Sequence, residues 1–267
     1  PTQHRLKPVY SYNKVSVNLL KSIIIPLYRH ALNETSLMLP DELISIYSFT
    51  GDIMFNIYSV NYASMSNEKS EDLFMLRKNT FKDRLQWAVD CSDGKEVDQF
   101  DNDKTNYIFG VENGMIICGT RMIDMKYQNM LNSTFSSFFN NVNIPEGNYI
   151  ESTRFFVDKE RTHSLLGRKF PVTMALFLSL INYAQQHHYD GILAVASHAM
   201  MHIIRTSGWN VTVLETGVSE KDEPVYLLLG HVDSESQRKL KAKIFSKYST
   251  ADETRLNDWP LAAEPSL

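Results

Sequence analysis

From position 54 onward the hydrophobic pattern of the chain becomes regular. "MFNIYSV" reads as a strand, and "SNEKSEDLFMLRKNTFKDRLQW" as an amphipathic helix over 68–85 that Ser66 or Asn67 can cap. "TNYIFGV" and "MIICGTRMI" flank Asn113-Gly114, a pair that accepts the positive φ of a tight turn, so they predict an antiparallel hairpin. "NYIESTRFFV" is another strand. "FPVTMALFLSLINYAQQHH" is apolar almost all round, which predicts a buried helix with Pro171 in its first turn. "DGILAVAS" reads as a buried strand and "HAMMHIIRTSG" as a short helix ending near Gly208. "WNVTVLE" and "EPVYLLLGHV" are two more strands, and "SESQRKLKAKIFSKY" a polar helix or tail. The order β-α-β-β-β-α-β-α-β-β predicts an α+β domain over 54–267, with a mixed, mostly antiparallel sheet flanked by helices. Residues 1–53 read as an N-terminal extension without recognisable chemistry. Its apolar run is interrupted by Asn18, Lys21 and Pro26 and is too short to span a bilayer or form a signal-peptide core.

Composition narrows the function classes. Among 267 residues, 43% are hydrophobic and 22% charged, and the formal charge of −4 gives no general pull toward nucleic acid or anionic membrane. Any basic docking surface must therefore be local. The two cysteines, Cys91 and Cys118, have neither disulfide-scaffold density nor zinc spacing, which predicts reduced thiols and a cytoplasmic protein. The chain lacks both GxGxxG and GxxxxGK[ST], so dinucleotide-fold and P-loop readings have no phosphate cradle. His198 and His202 are i, i+4, but without the Glu of HExxH or a third ligand they predict no metal site.

Charges inside apolar elements change the picture more. Phe74, Arg77, Phe81 and Arg84 share one helical face, which reads either as a lid over a flat, charged ligand or as an ordinary solvated stripe. Trp87, just beyond, can stack on a purine or close the core. Asp98 and Asp101 lie in a polar segment, where they are either solvated or used to hold a cation or fix arginines. Arg121 on a strand needs a carboxylate if it faces inward. Glu151 and Arg154 are three apart, so a perfect strand sends them to opposite faces, whereas a bulge between them brings both to one side. They read as an edge ion pair or as a catalytic carboxylate supported by Arg121 and Arg154.

"LRKNTFKDRLQW", "EVDQFDND", "GTRMI" and "ESTRFFVD" together resemble, in order and spacing, the acyl-homoserine-lactone synthases, the autoinducer synthase family, over about residues 54–267. The family's Arg, Phe, Trp, Asp, Asp, Arg, Glu, Arg pattern falls on Arg77, Phe81, Trp87, Asp98, Asp101, Arg121, Glu151 and Arg154, and "SGWNVTVLETGVSEK" is most similar to the enterobacterial branch. The resemblance implies a fold like that of the GCN5-related N-acetyltransferases. It also implies transfer of an acyl chain from acyl carrier protein to the amine of S-adenosylmethionine, then lactone closure with loss of methylthioadenosine. S-adenosylmethionine is then a substrate, and no cofactor is implied. Glu151 becomes the general base. Arg77, Phe81 and Trp87 become a lid, Asp98 and Asp101 hold the cationic substrate or lock that lid, and Arg121 and Arg154 orient carboxylates. An acyl tunnel is expected along Thr153, Phe155, Ala194, Ala196 and Met200; Ala194, where 3-oxo-producing relatives carry Thr, implies unsubstituted, medium-length chains. Acidic carrier protein implies a basic docking surface, with Arg161, Arg168, Lys169 and Arg205 as contributors. An acetyl-coenzyme A N-acetyltransferase lacks its phosphate turn in "RTHSLLGRKFPVT", and a non-catalytic ligand-binding protein of the same fold fits the intact charged set poorly.

Overall fold

The computed structural model describes residues 55–248 and 252–262, so the 1–53 extension lies outside the described residues. The elements, in chain order, begin with β1 (Asn56–Asn61), α1 (Asn67–Lys78), β2 (Cys91–Ser92), β3 (Lys95–Glu96), β4 (Thr105–Glu112), β5 (Met115–Asp124) and β6 (Tyr149–Val157). They continue with α2 (Lys159–Leu165), α3 (Val172–Gln186), β7 (Gly191–Ser197), α4 (His198–Ser207), β8 (Val211–Val218), β9 (Pro224–His231), α5 (Ser234–Lys247), α6 (Glu253–Asp258) and β10 (Leu261–Ala262). Eight strands form one sheet in the order β10-β1-β4-β5-β6-β7-β9-β8, parallel at β1–β10 and β6–β7 and antiparallel elsewhere. The mixed, mostly antiparallel sheet flanked by helices is the architecture that the hydrophobic pattern predicts.

Strand alternation divides the core between the two faces. On one, Ile108, Met122, Ile150, Ile192 and Ala196 pack with α3, α5 and α6 in the main apolar cluster. On the other, Tyr107, Phe109 and Phe156 pack beneath α1, while Leu193 and Leu227 pack against Leu131 and Phe139 of the 125–147 loop. Between these two covers lies a strip of sheet filled by charge. The loop cover sits close, because a side chain at Gly217 on β8 would collide with the Phe138 carbonyl. α3 is apolar for the reason its sequence shows. Its one buried amide, Asn182, donates to the carbonyls of Leu256 and Trp259 at 3.0 and 2.8 Å, tying α6 and β10 to the core.

Two irregularities of β6 shape the molecule. Between Gly119↔Phe156 and Arg121↔Thr153, two steps on β5 match three on β6, and Arg154 has φ 55°. That is a bulge, and it turns Arg154 to the face of Glu151 and Thr153. On its other edge β6 pairs with β7 only through Tyr149↔Gly191, Ile150↔Ile192 and Glu151↔Leu193. Beyond that point both strands run on without each other, while β7 stays paired to β9 along its whole length. The sheet therefore parts just past Glu151.

The helix expected over 68–85 is α-helical only to Lys78 and continues as a π-helical turn, Asn79–Arg84. Ser66 caps it, its side chain accepting from the Lys69 amide. Phe81 stays with Phe74 and Arg77 in the interior, as the shared face predicts, but the wider turn shifts the helical register beyond Lys78 and Arg84 turns to solvent. The 234–248 segment is a helix, and α2, α6, β10 and the β2–β3 hairpin are elements that the hydrophobic pattern did not reveal.

Candidate active site

Three guanidiniums and three carboxylates occupy the charged strip, one of the carboxylates not anticipated. Arg77, from α1, donates through Nε to Glu96 at 2.6 Å and through Nη1 and Nη2 to Asp101 at 2.7 and 3.0 Å. Arg121, from β5, donates through Nη1 to Asp98 at 2.5 Å and to Asp101 at 2.9 Å, and through Nε to Thr153 Oγ1 at 3.1 Å. Arg154, from the bulge, donates to Glu96 through Nε and Nη2 at 3.0 and 2.9 Å and to Asp98 through Nη2 at 2.9 Å. The Met130 sulfur lies 3.0 Å from Arg121 Nη2 and 3.3 Å from Arg154 Nη1. The rings of Phe74, Phe100 and Phe81 lie against Arg77, Arg121 and Arg154 at 5.1, 5.5 and 5.6 Å.

Formal charge balances within these six residues, which is how so many ions are held in the interior. Arg77 and Arg121 are 1% and 0% exposed, so neither is a solvated surface arginine. Burial opposes charge on Asp101, but Arg77 and Arg121 outweigh it and hold its carboxyl well below the usual carboxylate range. Burial and the Asp101 charge, in turn, push the Tyr107 phenol, which donates to Asp101, well up. Asp98 is the more open acid of the pair, with its side chain 13% exposed.

Glu151 stands apart from this balance. Its oxygens accept from the backbone amides of Met130 and Leu131 at 3.1 and 2.6 Å, and it forms no salt bridge among the described residues. A reciprocal pair, Asn132 Oδ1 accepting from the Asn129 amide and Asn129 Oδ1 from the Asn132 amide, fixes the turn that presents those donors. Burial raises the Glu151 carboxyl from 4.5 to about 7, against the pull of the two amides and of Arg121 and Arg154. A buried carboxyl titrating near neutrality beside the parted strands can take a proton from an amine.

The remaining candidates divide. Arg77 and Phe81 are sealed beneath α1, and of the three lid residues Trp87 is the open one, 37% exposed and stacked on Phe81 at 5.1 Å. Thr153 lies on the Glu151 face, whereas Ala196 belongs to the α3-face core and Phe155 and Met200 pack against it. Arg161 is tied to Asp72 at 2.8 Å, while Arg168, Lys169 and Arg205 are exposed. His198 and His202 are also exposed, and among the described residues no group of three side chains is arranged to hold a metal. Glu96 is the residue that sequence reasoning passed over. It is 0% exposed and joins Arg77 to Arg154, delivered by the β2–β3 hairpin whose Asp93-Gly94 turn has φ 50° and 77°. That Asp-Gly pair was the available signal.

A family model described as autoinducer synthase matches residues 61–240. An acyl-homoserine-lactone synthase of Pectobacterium carotovorum subsp. carotovorum is 49% identical over 214 residues, 80% of this chain and 99% of the relative. One of Dickeya dadantii (strain 3937) is 48% identical over 208 residues, 78% of this chain and 98% of the relative. Among solved structures, the acyl-homoserine-lactone synthase LasI matches in fold with a TM-score of 0.64 at 20% identity, over 72% of this chain and 96% of that one. A CoA-dependent acyl-homoserine lactone synthase, MesI, matches with a TM-score of 0.62 at 21% identity, over 71% and 95%.

Proposed function

The chain belongs to the autoinducer synthase family, and we propose that it is an acyl-homoserine-lactone synthase that takes its acyl chain from acyl carrier protein in the cytoplasm. The observation that carries this reading is Glu151, a buried carboxyl raised to about 7 at the point where β6 and β7 part. The α-amino group of S-adenosylmethionine must lose a proton to attack a thioester, and such amines titrate at about 8, so a carboxylate near 7 is matched to the task. The amine nitrogen forms the amide bond, the proton passes to Glu151 directly or through one water, and the thiol of the carrier leaves with a proton. The methionine carboxylate then attacks the γ-carbon, the carbon–sulfur bond breaks, and neutral methylthioadenosine departs as the lactone closes. Carboxylate and sulfonium charges cancel, so this second step needs no further proton. No cofactor or metal takes part.

The pairings of the charged strip support a division of labour. Arg77, Glu96 and Asp101 satisfy one another and position α1. Asp98 and Arg154, at the open side of the strip, are assigned to the cationic substrate and its carboxylate, with Trp87, backed by the buried Phe81, as the ring wall beside them. Thr153, Phe155, Ala194, Ala196 and Met200 are assigned to the acyl path. No described helix is long and apolar enough to cross a membrane.

The test is purified protein with S-adenosylmethionine and hexanoyl- or octanoyl-carrier protein, run beside the matching coenzyme A thioesters and read for methylthioadenosine and lactone. Product from the carrier protein is expected. Product from coenzyme A thioesters alone overturns the donor assignment, and no methylthioadenosine with any donor overturns the synthase reading.

A further inference from the structure

Where β6 and β7 separate past Glu151 and Leu193, a chain passing through the gap reaches the α3 face of the sheet. The floor there is set by the β7–β9 register, Ala196↔Tyr226, Ala194↔Leu228 and Ile192↔Gly230, since residues directly opposite share a face. Two alanines keep the β7 side of that floor low. At Gly230 the missing side chain is replaced by a ring from elsewhere: a Cβ there would stand 2.6 Å from Trp209 Cζ2. The indole is fixed by its Nε1, which donates to the His231 carbonyl at 2.9 Å. Its ring centroid is 5.3 Å from Phe177, which is 5.0 Å from Phe155 on β6, so a row of rings runs from the parted strand to Trp209. On its outer side Trp209 lines an open groove of about 350 Å³ together with Arg205, His231 and Lys239. The indole is thus a partition between an apolar floor and solvent.

Resting on the synthase reading, we propose that Trp209 is the chain-length stop of the acyl site: the end of the acyl chain abuts the indole, and the groove behind is closed to it. The ring acts by occupying space. A smaller side chain opens the floor into the groove and admits longer chains. A methyl group at Gly230 presses the ring toward Phe177 and shortens the path.

Purified full-length protein is given S-adenosylmethionine and an equimolar mixture of hexanoyl-, octanoyl-, decanoyl- and dodecanoyl-carrier protein, with lactones separated by mass spectrometry and methylthioadenosine measured as total turnover. Since one methylene in an apolar pocket discriminates by about 10- to 200-fold, Trp209→Ala is expected to raise the dodecanoyl-to-octanoyl product ratio at least about 10-fold. Trp209→Phe moves it the same way by less, and Gly230→Ala moves it the opposite way. An unmoved ratio in Trp209→Ala that still releases methylthioadenosine overturns the inference. Where that variant does not fold, as read by circular dichroism, Trp209→Phe decides on the same criterion. Wild-type protein inactive with every donor overturns the synthase reading itself.

Discussion

The carboxyl of Glu151 makes a prediction about stability that is independent of turnover. It titrates at about 7 in the folded protein, against 4.5 for an ordinary glutamate. Between those values the folded state holds a proton that the unfolded state has lost. The stabilisation is therefore complete below 4.5 and drains away as pH rises, until both states are ionised above 7. At about 1.4 kcal/mol per tenfold difference, the full effect is about 3 kcal/mol, of which about 2.5 kcal/mol falls between pH 5 and pH 8. Glu151→Gln removes the titration and keeps the shape, though one Met130 or Leu131 amide then faces an NH₂ group, a cost that does not vary with pH. Urea denaturation of both proteins at pH 5, 6, 7 and 8 gives the difference in unfolding free energy, in which other titrating groups cancel. The glutamine variant should gain on wild type by about 2–3 kcal/mol from pH 5 to pH 8. A difference constant across that range refutes the raised pKa, and with it the argument that Glu151 is poised to accept a proton near neutrality.

Glu151→Gln should also lose about 10²-fold or more in lactone formation, within the range for a general base, while substrate binding measured by calorimetry is retained. Arg77→Met leaves Glu96 and Asp101 buried without their shared partner and should destabilise the fold by about 3–5 kcal/mol in urea titration; a loss under about 1 kcal/mol would show that the pairing is idle. Chelation with EDTA should leave the rate of lactone formation unchanged, and inactivation reversed by added zinc would sink the metal-free mechanism. Wild-type product should be mainly unsubstituted acyl lactone, as Ala194 implies, and a mass spectrum dominated by 3-oxo lactones would remove that assignment.

The fold was legible wherever one period dominated. Asn113-Gly114 and the apolar runs around it gave the β4–β5 hairpin, and the all-round apolarity of 172–186 gave α3, because burial leaves a strong signal in residue type. The end of the sheet was not. β10 is two residues long and pairs in parallel with β1, a contact whose partners are some two hundred positions apart and which no local pattern encodes. In the site, the Glu151–Arg154 spacing raised the question of a bulge correctly, but sequence alone could not choose it, since Arg154 takes a positive φ that glycine would adopt more readily. Burial on the Glu151 face decides the matter: the bulge lets Arg154 reach Glu96 and Asp98 instead of entering the apolar face.

That choice also explains why eight charged or aromatic positions gathered in one family pattern do not share one role. Arg77 and Asp101 bond bidentately inside the protein, and Asp101 carries a third and a fourth donor in Arg121 and Tyr107. Groups so engaged and so deeply buried are closed to a ligand; their work is to pin α1 against β4 and β5. Their neutrality matters as much as their number. Had a carboxylate been missing from the six, the surplus guanidinium beside Glu151 would pull its carboxyl down toward the ordinary range and spoil it as a base at neutral pH. Asp98→Asn tests this directly. Uncovering charge on Arg121 and Arg154 should move the acidic limb of the lactone-forming pH profile toward lower pH, whereas an unmoved limb would mean that the strip holds the fold and leaves the pKa of Glu151 to burial alone.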